Sequence, residues 1–424
     1  MTNSRRTFLR GISASAAALA YASEAAASPL QLHQALAVTP DRDTFWNLVS
    51  RQYPLRTGKT PFNAANLCPS PRSVSERVAE LTRDLDSDVA PGNRTKFADY
   101  LEDSRRKVAS QLNVSPDEIA LVRNTSEANT TINNGMPLGP GDEVVLWEQN
   151  HPCNNDAWDV RAARHGFQVK RVAVPANTES VAEIVKLFEA ALTPKTKVLS
   201  ITYVSNTSGY RLPAKEICAL ARQRGIHAHV DGAQVWGYLN LDLKDIGCDS
   251  FGASAHKWFM GPKEVGVLYV RKERIPHIWP SVVSAGWTPA ALKSEVASRK
   301  FEVLGQRDDG AVSSVGTAVD FHRVLGFANV EGHTTELAQA LKEGLARINR
   351  IEIVTPMNPA RSGGVVISRV KGFDQKQMGA FTRDLYEKFG IGGAPVGGLR
   401  LCPHTYNTMS DVEAAIQGVR SLLA

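Results

Sequence analysis

Apolar and polar positions change rhythm twice along this chain. Near Asp43–Arg51, Ser73–Leu85 and Thr95–Leu112, apolar residues recur at three- and four-residue steps, which predicts amphipathic helices. From Ile119 the pattern becomes short β-rich runs alternating with helical windows. Strands are expected at Ile119–Arg123, Glu143–Trp147, Gln168–Val172, Val198–Tyr203, Ile226–Val230 and Val265–Val270, with a further strand running into Ser254. Helical windows fall between the early ones, at Glu127–Met136, Asp156–His165, Val181–Leu192 and Ala214–Arg224. This alternation predicts an α/β fold, a mostly parallel sheet covered by helices, with ligands bound outside the carboxyl ends of the strands. After about Ser284 the alternation breaks. Helices near Val312–Leu325, Thr334–Ile348, Gln375–Phe389 and Ser410–Leu423, with short strands near Ile351–Val354 and Gly364–Ser368, predict a smaller C-terminal α/β domain. The expected division is an N-terminal arm over 28–60 that can pack with the small domain, a large domain over 61–284 and the small domain over 285–424.

Residues 1–27 stand apart. Ser4-Arg5-Arg6-Thr7-Phe8-Leu9-Arg10 precedes an apolar Gly/Ala/Ser stretch, and Ala25-Ala26-Ala27 offers a cleavage site. The segment resembles a bacterial twin-arginine export signal, which implies recognition by the export machinery and a periplasmic destination for a protein already folded. Its loss removes three arginines and Glu24, so the formal charge of +6 falls to +4. The remaining Lys and Arg residues are scattered, which leaves no footprint for nucleic acid. No apolar run approaches the ~20 residues of a membrane span. The five cysteines (Cys68, Cys153, Cys218, Cys248 and Cys402) are odd in number and widely spaced, suggesting neither a zinc site nor a disulfide framework. His227 and His229 share a strand face but have no further ligand nearby, so no metal is expected.

The chemistry concentrates in His227–Met260. A strand ends in Asp231, and a second runs into Ser254-Ala255-His256-Lys257. A lysine that can bond an aldehyde, and an acid that can keep a ring nitrogen protonated, are what pyridoxal phosphate (PLP) requires. Lys257 is flanked by residues too apolar for an exposed face. Desolvation there lowers an amine's pKa and favours both covalent bonding and proton transfer. Asp231 ends an apolar strand, where a carboxylate needs a partner; it could equally cap a helix before Gly232. Thr125-Ser126 follow a strand and open a helix, a natural phosphate cradle and equally an ordinary helix start.

The segments NTSEAN (124–129), NHPCNNDAW (150–158), VSNTSG (204–209), VDGAQ (230–234), SAHK (254–257), LGQRD (304–308) and LRLCPHTYNT (399–408) resemble, in order, those of the class V aminotransferase family of PLP enzymes. The resemblance implies the PLP-dependent transferase fold of type I, with a large PLP-binding domain and a small one. It implies that Lys257 bonds the cofactor, Asp231 meets its ring nitrogen and His151 stacks on the ring. Gln234 and Asn206 would bond the phenolic oxygen, and Thr125, Ser126, Ser254 and His256 the phosphate. Arg400 would hold the substrate carboxylate in a bidentate fork, and Asn66, on an arm over the site, could reach substrate or simply pack. Where relatives bring a Gly-Thr from a second subunit to the phosphate, this chain has Gly305-Gln306. Arg307 could compensate as the anion-binding group, and a homodimer with shared active sites is expected.

A cysteine desulfurase carries its nucleophile on the loop before the carboxylate-binding arginine. The corresponding stretch Phe389–Gly398 has no cysteine, and Cys402, beyond Arg400, is a poor substitute. The short loop and LGQRD resemble the isopenicillin N epimerase-like branch. Exported members of that branch include periplasmic enzymes that tailor the siderophore pyoverdine. The expected function is Schiff-base chemistry at the α-carbon of an amino acid, or of an amino-acid moiety of an exported peptide or siderophore, by amino-group transfer or epimerisation. The alternatives are a C–S lyase or desulfurase-type elimination, and a non-catalytic exported binding module that keeps the fold.

Overall fold

The computed structural model describes residues 41–284 and 297–424. The expected export signal (1–27), the beginning of the arm (28–40) and the expected start of the small domain (285–296) lie outside the described residues.

Seven strands make the central sheet. They are β1 (Ile119–Val122), β2 (Glu143–Trp147), β3 (Gln168–Val172), β4 (Thr196–Thr202), β5 (His227–Asp231), β6 (Ser250–Ser254) and β7 (Gly266–Val270). Their order across the sheet is β1-β7-β6-β5-β4-β2-β3. All neighbours are parallel except β7, which runs against both β1 and β6. The interior strands are buried except at Lys197 on β4, as expected for a sheet covered on both faces, whereas edge strand β3 presents Gln168 and Arg171 towards solvent. Thr202 pairs with Asp231, and Asp231 with Gly252, so β4, β5 and β6 end along one edge. Asn150 ties that edge to the loop after β2: its Nδ2 donates to Ser200 O (3.0 Å) and its Oδ1 accepts from Thr202 N (2.6 Å).

A second antiparallel sheet orders β10 (Leu399–Leu401), β9 (Val366–Val370) and β8 (Ile351–Ile353). Helices Phe327–Ala346, Gln375–Phe389 and Met409–Leu423 back it with a separate apolar core around Leu341, Leu385 and Val419. Helices Asp309–Ser313 and Val315–Leu325 instead give Ala311, Val315 and Phe321 to the large core, so the smaller core takes over from Leu337. The helix expected from Thr334 begins seven residues earlier, at Phe327, directly after Gly326 in a positive-φ conformation (80°).

The arm joins both parts. The helix Arg42–Ser50 buries Leu48 and Val49 in the large core, while its Trp46 stacks on His333 at 3.8 Å. Further on, Thr60–Pro61 pair with Ile391–Gly392, Asn63 bridges Cys402, and Cys68 N donates to His256 O (2.8 Å). The arm therefore runs from the small sheet to the loop that carries Lys257. Among the described residues no helix is long and apolar enough to cross a membrane, and no cysteines are paired.

Candidate active site

Lys257 lies in a tight loop between β6 and β7. Gly261 N donates to Ala255 O (2.7 Å), Met260 N donates to Lys257 O (2.9 Å), and Met260 has φ +54°. A left-handed conformation costs a non-glycine residue about 1–2 kcal/mol, so the surroundings must hold it. They do so from several distant segments. His404 Nε2 donates to Trp258 O (2.6 Å) and His322 Nε2 to Phe259 O (3.0 Å). The hydroxyls of Tyr53 (2.9 Å) and Thr405 (3.1 Å) both lie against the Met260 sulfur and 2.7 Å from each other, one donating to the other and the second to sulfur. Burial pushes His404 down to about 3 and His322 to about 4, so both rings are neutral at ordinary pH. Gly237 (φ +95°) packs against this loop, and a Cβ there would fall 2.2 Å from the Phe259 backbone.

The loop leaves Lys257 half-buried with no hydrogen-bond partner among the described residues. Burial lowers its pKa, Arg400 adds to the effect, and Asp231 and Cys153 oppose it. Asp231 is fully buried; its Oδ2 accepts from Asn129 Nδ2 (2.9 Å) and its Oδ1 from Ala233 N (3.0 Å). With Asn129 donating to Asp231, its Oδ1 (3.0 Å away) must accept from His229 Nε2. His229 Nδ1 then accepts from the Ser250 hydroxyl (2.8 Å), which accepts from His227 Nε2 (2.9 Å). The two histidines are thus a directed relay ending at Asp231. Burial pushes them down to about 4 (His227) and about 3 (His229), keeping both neutral. No group of three or more His, Cys, Asp or Glu residues suited to a metal exists among the described residues.

At the start of the helix Thr125–Gly135, Asn124 supplies the cap by accepting from Glu127 N (3.0 Å). That frees the Thr125 and Ser126 hydroxyls from capping. Ser254 Oγ lies 2.6 Å from Thr125 Oγ1 and accepts from Thr125 N at 2.7 Å; Ser126 is exposed. The helix N-terminus thus carries a hydroxyl cluster. Burial, then Lys257 and Lys263, push nearby His256 down to about 4.

His151 caps the helix Pro152–His165: its Nδ1 accepts from Cys153 N (3.2 Å), with Cys153 Sγ 3.0 Å away. The ring proton therefore sits on Nε2. Burial, Lys257 and Arg400 lower its pKa, outweighing Asp231. Burial and Asp231 raise the Cys153 thiol. Sequence reasoning did not place this cysteine in the site, although it lies two residues from His151.

Arg400 is buried on β10. It donates from Nη1 to Asn206 O (3.3 Å) and from Nη2 to Asn63 Oδ1 (3.2 Å). Its Nε and the Asn206 Oδ1 are buried without partners, a matched donor and acceptor left for a polar ligand. Asn63, not Asn66, reaches the arginine: the pairing of the arm with Cys402 turns Asn63 inward and leaves Asn66 exposed. Gln234 is largely committed elsewhere, donating to Ala65 O (3.0 Å) and accepting from Trp258 Nε1 (2.8 Å), so one Nε2–H remains. Gln306 is exposed and bonds Arg94 (3.3 Å), while Arg307 Nη1 bonds Leu121 O and Nη2 is buried unpartnered. Within one chain neither bonds Thr125, Ser254 or His256. Asn129, at the end of a quoted motif, is the main residue the sequence reading left without a role. Its spacing of four from Thr125 puts both on one helical face.

An unpaired, half-buried lysine, a relay-supported carboxylate, a hydroxyl cluster at a helix start and two orphaned polar atoms fit PLP as a bound group. The Aminotransferase class-V family matches residues 63–413. The chain belongs to the class V aminotransferase family. It is a PLP-dependent enzyme, which sets aside the non-catalytic binding module. Isopenicillin N epimerase of Amycolatopsis lactamdurans is 31% identical, aligned over 89% of this chain and 99% of that protein. A cysteine desulfurase of Pectobacterium atrosepticum is 29% identical over 76% of this chain and 79% of its own. Among solved structures, a complex of the cystine C–S lyase C-DES with cysteine persulfide shares the fold (TM-score 0.79, 22% identity, 87% of this chain and 99% of that one). So does the cysteine desulfurase of Thermococcus onnurineus NA1 (TM-score 0.78, 22% identity, 88% and 97%).

Proposed function

We propose that this enzyme works at the α-carbon of an amino acid, or of an amino-acid moiety at the end of an exported peptide or siderophore, by epimerisation or amino-group transfer. The observation that carries the reading is Lys257, half-buried, unpaired and reduced in basicity, with Asp231 and Arg400 acting on it in opposite senses. Bound PLP supplies an electron sink for the substrate's α-carbon. Lys257 Nζ would hold the cofactor and, as a free amine, would move the α-proton. Asp231, aligned by Asn129, holds a proton on the ring nitrogen. Thr125, Ser126, Ser254 and His256 would hold the phosphate, and Asn206 with the remaining Gln234 N–H would hold the phenolic oxygen. His151 keeps its Nε2–H for the cofactor side, and Arg400 with Asn63 orients the carboxylate.

Likeness to the isopenicillin N epimerases supports epimerisation. A desulfurase-type reaction needs a thiolate, and burial raises the thiols of both Cys153 and Cys402. Elimination of a sulfur leaving group without that thiolate is the weaker reading. Arg307, with its unpartnered Nη2, and Gln306 belong to the proposal as contributions to the other site of a homodimer. Periplasmic location rests on residues 1–27.

The test is PLP-loaded protein incubated in deuterated water with a panel of amino acids and amino-acid conjugates. Loss of the α-proton signal with inversion supports epimerisation, and a keto acid supports transfer. Pyruvate and ammonia released from cysteine or cystine, with sulfide or a persulfide, would move the assignment to a lyase. Lys257→Ala should lose both α-proton exchange and the visible absorption of lysine-bound PLP; a variant that keeps that absorption would overturn the lysine's role.

A further inference from the structure

Two arginines share one face of the small sheet. Arg400 on β10 is paired directly with Ile367 on β9, and Arg369 lies two residues further along β9. Directly paired residues in antiparallel strands project to the same face, and so does every second residue. Arg369 and Arg400 are therefore diagonal neighbours, about 7–8 Å apart at the base of their side chains. The face they share looks across the crevice towards the loop after β4. Arg400 bonds Asn206 O there, and a Cβ on Gly397, next to the β9–β10 edge, would fall 2.4 Å from Thr207 O.

A cavity of about 450 Å³ opens where that face meets the large domain, lined by Gln149, Thr207, Ser208, Glu352, Arg369 and Gly397 among others. Its walls continue the site: Gln149 stands two residues before His151, and Thr207 follows Asn206. Such a volume suits a ligand larger than one side chain. The walls are also braced. Ser205 N donates to Tyr210 O, Gly209 N donates to Ser205 O, and Ser208 Oγ donates to Gln149 Oε1 (2.6 Å). Gln149 Nε2 has no partner among the described residues.

Arg369 is turned to serve this cavity. Glu352 stands directly across the register from it, yet the two form no ion pair. Instead Arg369 Nε donates to Gly397 O (3.2 Å), which leaves both terminal nitrogens without partners among the described residues. We infer that this cavity is a second substrate subsite, in which Arg369 receives an anionic group, a carboxylate, on the part of the substrate remote from the reacting amino acid. The inference rests on the reading of Arg400 as the α-carboxylate anchor. It narrows the substrate class to amino-acid conjugates carrying a second carboxylate beyond the reacting residue.

The probes are γ-glutamyl-alanine and γ-glutamyl-alaninamide, which offer the same free amino-acid head and differ in the distal charge. Each is titrated calorimetrically into PLP-loaded enzyme, with a visible spectrum of the same sample. The expected result is binding of the carboxylate about tenfold tighter than the amide, as for a partly exposed charged hydrogen bond. Arg369→Ala should erase that difference without changing amide affinity, Arg369→Lys should restore part of it, and Glu352→Gln should widen it. Equal affinities in the wild type would overturn the subsite. So would an Arg369→Ala variant weakened equally for both probes, because Arg369 would then act by holding the hairpin before Arg400. The spectrum reports separately on the underlying reading: no visible band and no change on titration would refute the PLP assignment whatever the calorimetry shows.

Discussion

At the scale of single residues, the support behind Asp231 matters as much as Asp231 itself. Asn129 accepts from His229 and donates to the carboxylate, so the amide cannot flip without breaking both bonds. Replacing it with alanine removes a hydrogen bond to an acid and leaves His229 Nε2–H buried without an acceptor. Asn129→Ala should lower kcat by about tenfold or more, corresponding to roughly 1.5–3 kcal/mol, and shift the absorption of bound PLP while Lys257 still attaches. An unchanged kcat and spectrum would show that Asp231 needs no such alignment. Asp231 and Lys257 were legible in the sequence because one ends an apolar strand and the other follows three residues after one, where a charged residue stands out. Asn129 was not, because nothing local distinguishes a buried helical asparagine from a surface one. Asn63 was missed for a different reason: its inward turn is set by pairing with Cys402, far along the chain.

At the scale of elements, the Lys257 loop is held by groups that its own sequence does not contain. His322 and His404 donate to it from 63 and 146 residues away. Local patterning revealed the strand running into Ser254 and the lysine beyond it, but not the clamp, nor that β7 runs antiparallel. Periodicity tells that a strand is buried and not which way it runs. Removing His404 leaves Trp258 O without its donor and opens a cavity beside a residue already at positive φ. His404→Ala should destabilise the protein by about 1–3 kcal/mol in urea unfolding and weaken retention of PLP on dialysis. Loss of stability with full retention of cofactor would show that the loop keeps its shape without the clamp.

At the scale of the whole molecule, buried neutral histidines set a limit on acid tolerance. His227, His322 and His333 are pushed down by burial to about 4, and His229 and His404 to about 3. In the unfolded chain each returns to its ordinary value of 6.5. Between these values the unfolded state binds protons that the folded state refuses, so stability rises with pH there. The contribution is complete above about 6.5 and is lost as pH falls towards 4, at up to about 1.4 kcal/mol per group per pH unit. Thermal midpoints measured from pH 7.5 to 4.5 should fall progressively below pH 6.5; a flat profile down to pH 5 would contradict this. The geometry of the Lys257 loop also sets an order of events in the life of the protein. Tyr53 and Thr405, near opposite ends of the chain, meet each other at 2.7 Å and both hold Met260. A ribosome that has made the lysine has therefore not yet made its cradle. Cofactor capture must wait until the chain beyond His404 and Thr405 has been made, and a chain stopped at Pro403 should emerge colourless even in excess PLP. The lysine and the groups that shape its loop therefore become competent for the cofactor together, not one after the other.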